Sequence, residues 1–161
     1  MSKQRVRVGD IFQIPLSDGR VAYGQYVYRD KKHGPIIRVF DFISETETEF
    51  DKIKEQLAHA KLLFPPVITG VFAAVRTGLW KVVGRLPVND FEYPNFINVL
   101  DENYQPISDW FLVTKDDTMR LGKKLPKKYK HLELLVVWSP YDVVHRIETG
   151  ENPYREMIER G

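Results

Sequence analysis

Residues whose side chains could do chemistry are few in this chain, and they are scattered. There are four histidines, His33, His59, His131 and His145. None stands four residues from another, the spacing that would put two imidazoles on one helix face, so a helical metal site is not indicated. Solvated surface histidine is the simpler account. Carboxylates gather at Glu45, Glu47, Glu49 and Asp51, and again at Asp116-Asp117. Helix-start and turn chemistry explain both groups without an acid–base pair. Cysteine is absent, which removes a disulfide framework, a thiolate metal site and a cysteine nucleophile together. No nucleophile elbow, phosphate loop or dinucleotide fingerprint occurs. The expectation is a protein that is not an enzyme and needs no cofactor or metal.

One stretch invites a binding role instead. From Arg120 to His131 the chain reads RLGKKLPKKYKH, in which six of twelve residues are lysine or arginine. Three accounts fit it. The first in rank is a solvated loop whose lysines keep strand edges from pairing with other molecules. The second is a positive patch that steers an acidic partner protein into contact. The third is nucleic acid, with Tyr129 and His131 stacking on bases while Arg120, Lys123, Lys124, Lys127 and Lys128 meet phosphates. It ranks last because the chain carries a net charge of only +2, and nucleic-acid modules are basic over a broader surface. The candidate partner-binding residues are therefore Trp110, as an aromatic anchor, with Arg120, Lys123, Lys124, Lys127, Lys128 and Tyr129.

The elements that must position these residues begin with Gly9–Tyr28, GDIFQIPLSDGRVAYGQYVY. Two strand-forming runs, Ile11–Leu16 and Val21–Tyr28, flank Ser17-Asp18-Gly19-Arg20, and Asp-Gly there predicts a hairpin with a tight primed turn. Alternation assigns Phe12, Ile14 and Leu16 to the buried face of the first strand. Pro15 should end that strand or face a free edge, and Gly24 should mark a bulge or a sharp bend. Ile36–Ile43 reads as a third strand. A helix opens near Glu45–Glu49, with Thr46 or Thr48 as N-cap, and turns Phe50, Ile53 and Leu57 inward until about Lys61. Val67–Arg76 and Leu79–Leu86 read as a second hairpin across Thr77-Gly78, with Trp80 buried and its indole nitrogen hydrogen-bonded. Pro87 to Pro94 is a loop.

Phe96–Leu100 and Ile107–Val113 are further strands joined by a loop over 101–106. On the second, Trp110 and Phe111 face opposite ways. Leu132–Trp138 is apolar enough for a central strand. Ser139-Pro140 starts a helix that Gly150 stops, with Tyr141, Val144, His145 or Ile147 facing inward, and a last helical piece runs through Tyr154, Met157 and Ile158.

Two blocks of these residues carry a resemblance. Gly9-Asp10-Ile11-Phe12, Ile14-Pro15-Leu16, Asp18-Gly19-Arg20 and Tyr23-Gly24-Gln25 form the first; Trp80–Pro87 (WKVVGRLP) with Pro94 and Phe96 forms the second. Together they are similar to the immunity protein 26 family of bacterial polymorphic toxin systems, and the chain beyond about Trp110 is unmatched. The resemblance implies a protein that neutralises a cognate toxin by binding it, with no chemistry of its own. It marks no toxin-contacting residue. The alternative is a nucleic-acid-associated small β-barrel using the basic 120–131 loop.

The bulk composition sets the frame. The chain has 161 residues, 43% of them hydrophobic and 29% charged, which suits one folded domain, 1–161. The first ten residues are polar and basic, and no apolar run reaches bilayer length, so a cytoplasmic location without membrane contact is expected. The expected fold class is α+β: a mainly antiparallel, strongly bent sheet or partly closed barrel, with one longer inserted helix and short C-terminal helices. Glycines at positions 24, 70 and 84 would supply the bends.

Overall fold

A computed structural model describes residues 5–101, 103 and 105–161. The first four residues, and Glu102 and Tyr104 of the expected 101–106 loop, lie outside the described residues. In chain order the elements are β1 (Asp10–Pro15), β2 (Val21–Asp30), β3 (Gly34–Ser44), α1 (Phe50–His59), β4 (Val67–Thr69), α2 (Val71–Arg76) and β5 (Lys81–Arg85). There follow β6 (Phe96–Leu100), β7 (Pro106–Val113), β8 (Thr118–Gly122), a 3-10 turn (Lys127–Tyr129), β9 (Glu133–Leu134), β10 (Val137–Trp138), α3 (Pro140–Thr149) and α4 (Arg155–Arg160). They fall into two compact units. The first runs to Phe91 and includes Val137–Gly150; the second holds Glu92–Val136 and Glu151–Gly161.

The first unit is a six-stranded sheet in the order β10-β4-β3-β2-β1-β5. Its pairings are antiparallel except β4 with β10, which is parallel. The predicted β1–β2 hairpin forms, with a different turn. Only Gly19 takes a positive φ, 90°, and the Leu16 N–H donates to Arg20 O while the Gly19 N–H donates to Leu16 O. This is a three-residue loop with a bulge at glycine rather than a primed turn, because Asp18 stays at negative φ. β1 ends at Pro15, as its missing N–H requires. The β2–β3 register shifts between Ala22 and Gly24, the expected bulge.

Alternation on β1 misleads about burial. Ile11, Phe12 and Ile14 are all 0% exposed, because β1 is an interior strand covered on both faces. On one face Ile11 joins Val21, Tyr23 and Phe40 under Ile53 and Leu57 of α1. On the other, Phe12 stacks flat on Trp80, ring centroids 5.2 Å apart. Trp80 is buried as expected, but among the described residues its Nε1 has no partner. α1 presents the predicted inner stripe, yet neither threonine caps it. Glu49 stands at the N-cap without a side-chain bond, and Thr48 Oγ1 donates to Thr46 O instead.

The second predicted hairpin is not there. Val67–Thr69 is a short strand and Val71–Arg76 a helix, with Val71, Ala74 and Val75 buried at helical spacing. Ala73-Ala74 favour that conformation over a strand. β5 then pairs with β1, not with its sequence neighbour. Leu132–Trp138 is also not one central strand. It divides into β9, parallel to β6, and β10, parallel to β4, each at a sheet edge. The run is apolar along its length because each end serves a different sheet. In α3, Ser139 Oγ accepts the Asp142 N–H and Gly150 closes the helix at φ 75°, both as read from the sequence. Its inward residues are Val143 and Arg146, while Tyr141 is 72% exposed. The Arg146 guanidinium lies 4.3 Å from the Phe64 ring centroid and 5.1 Å from that of Trp138.

The second unit is a four-stranded sheet in the order β8-β7-β6-β9, with α4. Phe96, Ile97, Leu134 and Ile158 are among its most buried side chains. The class is thus α+β with two mixed sheets. Among the described residues neither closes into a barrel; the expected bent sheet is consistent with this arrangement, although the strands divide between two sheets.

Candidate partner-binding surfaces

The basic segment lies wholly in the second unit and is not one loop. Arg120 belongs to β8, where its Nε donates to Asp109 Oδ2 at 2.6 Å. That carboxylate raises the arginine's pKa, by hydrogen bond first and by charge second. Lys127, Lys128 and Tyr129 form the 3-10 turn, with the Lys128 ammonium 5.0 Å from the Tyr129 ring centroid. Lys130 Nζ donates to Glu159 O at 2.8 Å. Lys123 and Lys124 line an open hollow of about 760 Å³ together with Trp110, Glu156, Met157 and Arg160. Of the seven residues selected from the sequence, the structure brings Trp110, Lys123 and Lys124 together. Trp110 is only 4% exposed, packed by Gly161, and offers a partner little of its ring.

A second hollow, in the first unit, escaped the sequence reading. It measures about 650 Å³ and is lined by Arg5, Arg7, Val8, Tyr26, Arg29, Phe72 and Arg76, with Val6. Its cations come from three separate places: the segment before β1, the end of β2 and the end of α2. Phe72 is 44% exposed and Val8 39%, and the Phe72 and Tyr26 rings meet nearly perpendicular at 5.4 Å. Burial pushes the Tyr26 phenol above its ordinary pKa, with Arg29 opposing, so at neutral pH it is a protonated hydroxyl. The only sequence signal was three arginines among the first residues and the strand end.

The rim of this hollow is held by the Gly9-Asp10 turn. Gly9 takes φ 101°, a conformation that glycine adopts without strain. Its N–H donates to Tyr26 O at 2.8 Å, and its carbonyl accepts the Leu86 N–H at 3.1 Å and Gln25 Nε2 at 3.2 Å. The buried Asp10 carboxylate accepts the Arg7 N–H at 2.8 Å, and Arg85 donates to Val8 O at 2.9 Å. Gln25, fully buried, also donates to Leu86 O at 2.9 Å and accepts Arg38 Nε at 3.0 Å. Arg38 in turn donates to Asn89 O at 2.8 Å. Desolvation lowers the Arg38 pKa, with Asp90 acting against it. Every donor and acceptor of the Gln25 amide has work inside the fold, so this network positions backbone rather than awaiting a ligand.

A third depression of about 830 Å³ lies along β5 and the start of α1, where Lys81 and Glu47 approach to 3.9 Å. Among the described residues no group of three or more metal-ligating side chains converges, and no helix is long and apolar enough to cross a membrane.

The hairpin and its Gly9-Asp10 entry, β5 and the loop after it are the parts that build the second hollow's rim. A family model described as Immunity protein 26 matches residues 7–106, which takes them all in. The chain belongs to the immunity protein 26 family. The matched stretch includes the residues of the arginine-lined hollow except Arg5 and Val6, and it stops short of Trp110 and the whole basic segment. No curated protein and no solved structure matches the chain.

Proposed function

We propose that this protein binds a cognate bacterial toxin and neutralises it by covering the toxin's working surface, without making or breaking covalent bonds. Membership of an immunity protein family is the observation that carries this reading. The folded chain supports it by offering rigid, preformed surfaces with exposed cations. The lysines of the basic segment, Lys123, Lys124, Lys127 and Lys128, serve in this reading to steer the encounter, which takes place in the bacterial cytoplasm. The nucleic-acid reading of the same segment has less support, since Arg120 is paired with Asp109 and Lys130 is tied to Glu159.

Co-expression with the toxin encoded beside this protein tests the proposal. The expected result is restored growth and a stable complex on pull-down, with the toxin's activity lost at equimolar protein. Growth arrest with no complex, or turnover of the toxin's product by this protein alone, would overturn it.

A further inference from the structure

We infer that the arginine-lined hollow of the first unit is the seat of the toxin, and that it takes an acidic segment whose carboxylates flank an apolar side chain. The inference rests on the immunity reading and gives it a surface and a partner chemistry.

The argument begins with what the arginines do elsewhere. The chain has eleven. Arg20, Arg85, Arg120, Arg155 and Arg160 are in ion pairs. Arg38 is hydrogen-bonded to Gln25 and Asn89, and Arg146 lies over two rings. The remaining four are Arg5, Arg7, Arg29 and Arg76. Among the described residues none of these makes an ion pair or a side-chain hydrogen bond, and all four line one concavity with no carboxylate among its lining residues. Gathering like charges without counter-charges costs stability in the free protein. An anionic partner removes that cost and gains charge-assisted, bidentate bonds that a guanidinium makes better than an ammonium does.

The rest of the hollow says which anion. Phe72 and Val8, both exposed, make a partly apolar floor backed by the buried Tyr26 ring, and an exposed aromatic beside arginines is the kind of side chain that dominates protein interfaces. A concavity of about 650 Å³ accepts a few side chains; single-stranded nucleic acid instead needs a groove that follows its backbone. A net charge of +2 also gives no broad field for a polyanion. The rim is preorganised by the Gly9, Asp10 and Arg85 bonds, so little ordering remains to be done on binding.

Isothermal titration of the full chain with the toxin domain encoded beside it, at low and moderate salt, is the test. Wild type is compared with Arg29→Glu/Arg76→Glu, with Phe72→Ala and, as a control for bare charge, with Lys52→Glu/Lys54→Glu on the exposed side of α1. A thermal melt checks folding; Arg29→Gln/Arg76→Gln replaces the reversed variant if that one melts early. Charge reversal in the hollow is expected to weaken binding by about 100-fold or more and to flatten its salt dependence. Phe72→Ala should cost about tenfold, and the control should stay near wild type. Hollow variants that bind as tightly as wild type overturn the inference and leave the immunity reading standing. A wild type that binds no toxin overturns that reading, and the inference with it. A twenty-base single-stranded DNA that binds wild type but not Arg29→Glu/Arg76→Glu, while the toxin binds both, assigns the hollow to nucleic acid and overturns the inference.

Discussion

Phe12 and Gly24 face each other across the β1–β2 pair, and the phenyl ring occupies the space that a side chain at Gly24 would need: a Cβ there would meet Phe12 Cε2 at 2.6 Å. The ring is pinned from its other side by Trp80, to which it lies parallel within 3°. It cannot retreat. Phe50 repeats the arrangement over Gly84, its ring in the place of the missing Cβ. Gly24→Ala should therefore destabilise the fold by about 1–3 kcal/mol, the usual cost of overpacking a tight core. Urea unfolding measures it, and an unchanged midpoint would mean that the ring has somewhere to go.

Gln25 ties three backbone segments together from the interior. Gln25→Leu removes an acceptor from Arg38 Nε and a donor from both the Gly9 and Leu86 carbonyls. Leaving buried groups unpaired costs about 1–3 kcal/mol, so a loss of that order is expected on unfolding. The sharper readout is local. Amide hydrogen exchange at Gly9 and Val8 should quicken before that of the α1 core does, because the rim of the arginine hollow loses its inner support. Exchange that rises uniformly would place Gln25 in the global core instead.

Asp18 carries the resolved carboxylate shift. The Arg20 backbone N–H, 3.1 Å from Oδ1, and the Arg20 side chain, 2.8 Å from Oδ2, hold its pKa below 3.8. A depressed folded pKa stabilises at pH above the unfolded value, and that contribution is lost as pH falls through the folded value. Carbon NMR should find a midpoint below 3.8 for Asp18, and Asp18→Asn should flatten the acid limb of stability slightly. The pair lies on the surface, with the Asp18 side chain 51% exposed, so salt should reduce the effect. A midpoint above the ordinary value would reverse the sign and refute the contact.

The lysines at 123, 124, 127 and 128 make a separate prediction. If they steer encounter, reversing all four should slow toxin association by about tenfold and weaken its salt dependence, with dissociation little changed. Stopped-flow mixing at two salt concentrations separates the two rates. An unaltered association rate would leave these residues the plainer task of keeping the second unit soluble.

Much of this was legible from local signals. The Asp18-Gly19 hairpin, the α1 stripe of Phe50, Ile53 and Leu57, the bulge at Gly24, and the Ser139 and Gly150 caps are written in dihedral preferences and short periodicities. Two local signals misled. Val67–Arg76 alternates enough for a strand, yet its second half buries Val71, Ala74 and Val75 as a helix, and Leu132–Trp138 is apolar because it serves two sheets in succession. The alternation on β1 failed for a related reason: an interior strand covered by α1 on one side and Trp80 on the other has no wet face to report.

By itself the sequence determined the α+β class, the places where the chain must turn, and a family. The tertiary structure alone decided that β5 joins β1, which carries α2 to the segment before β1 and sets Arg76 in one hollow with Arg7 and Arg29. Turns and helix faces depend on residues a few positions apart, whose geometry the backbone dictates. The meeting of charges from opposite ends of the first ninety residues depends on which strands pair, and that is settled by burial of the whole core.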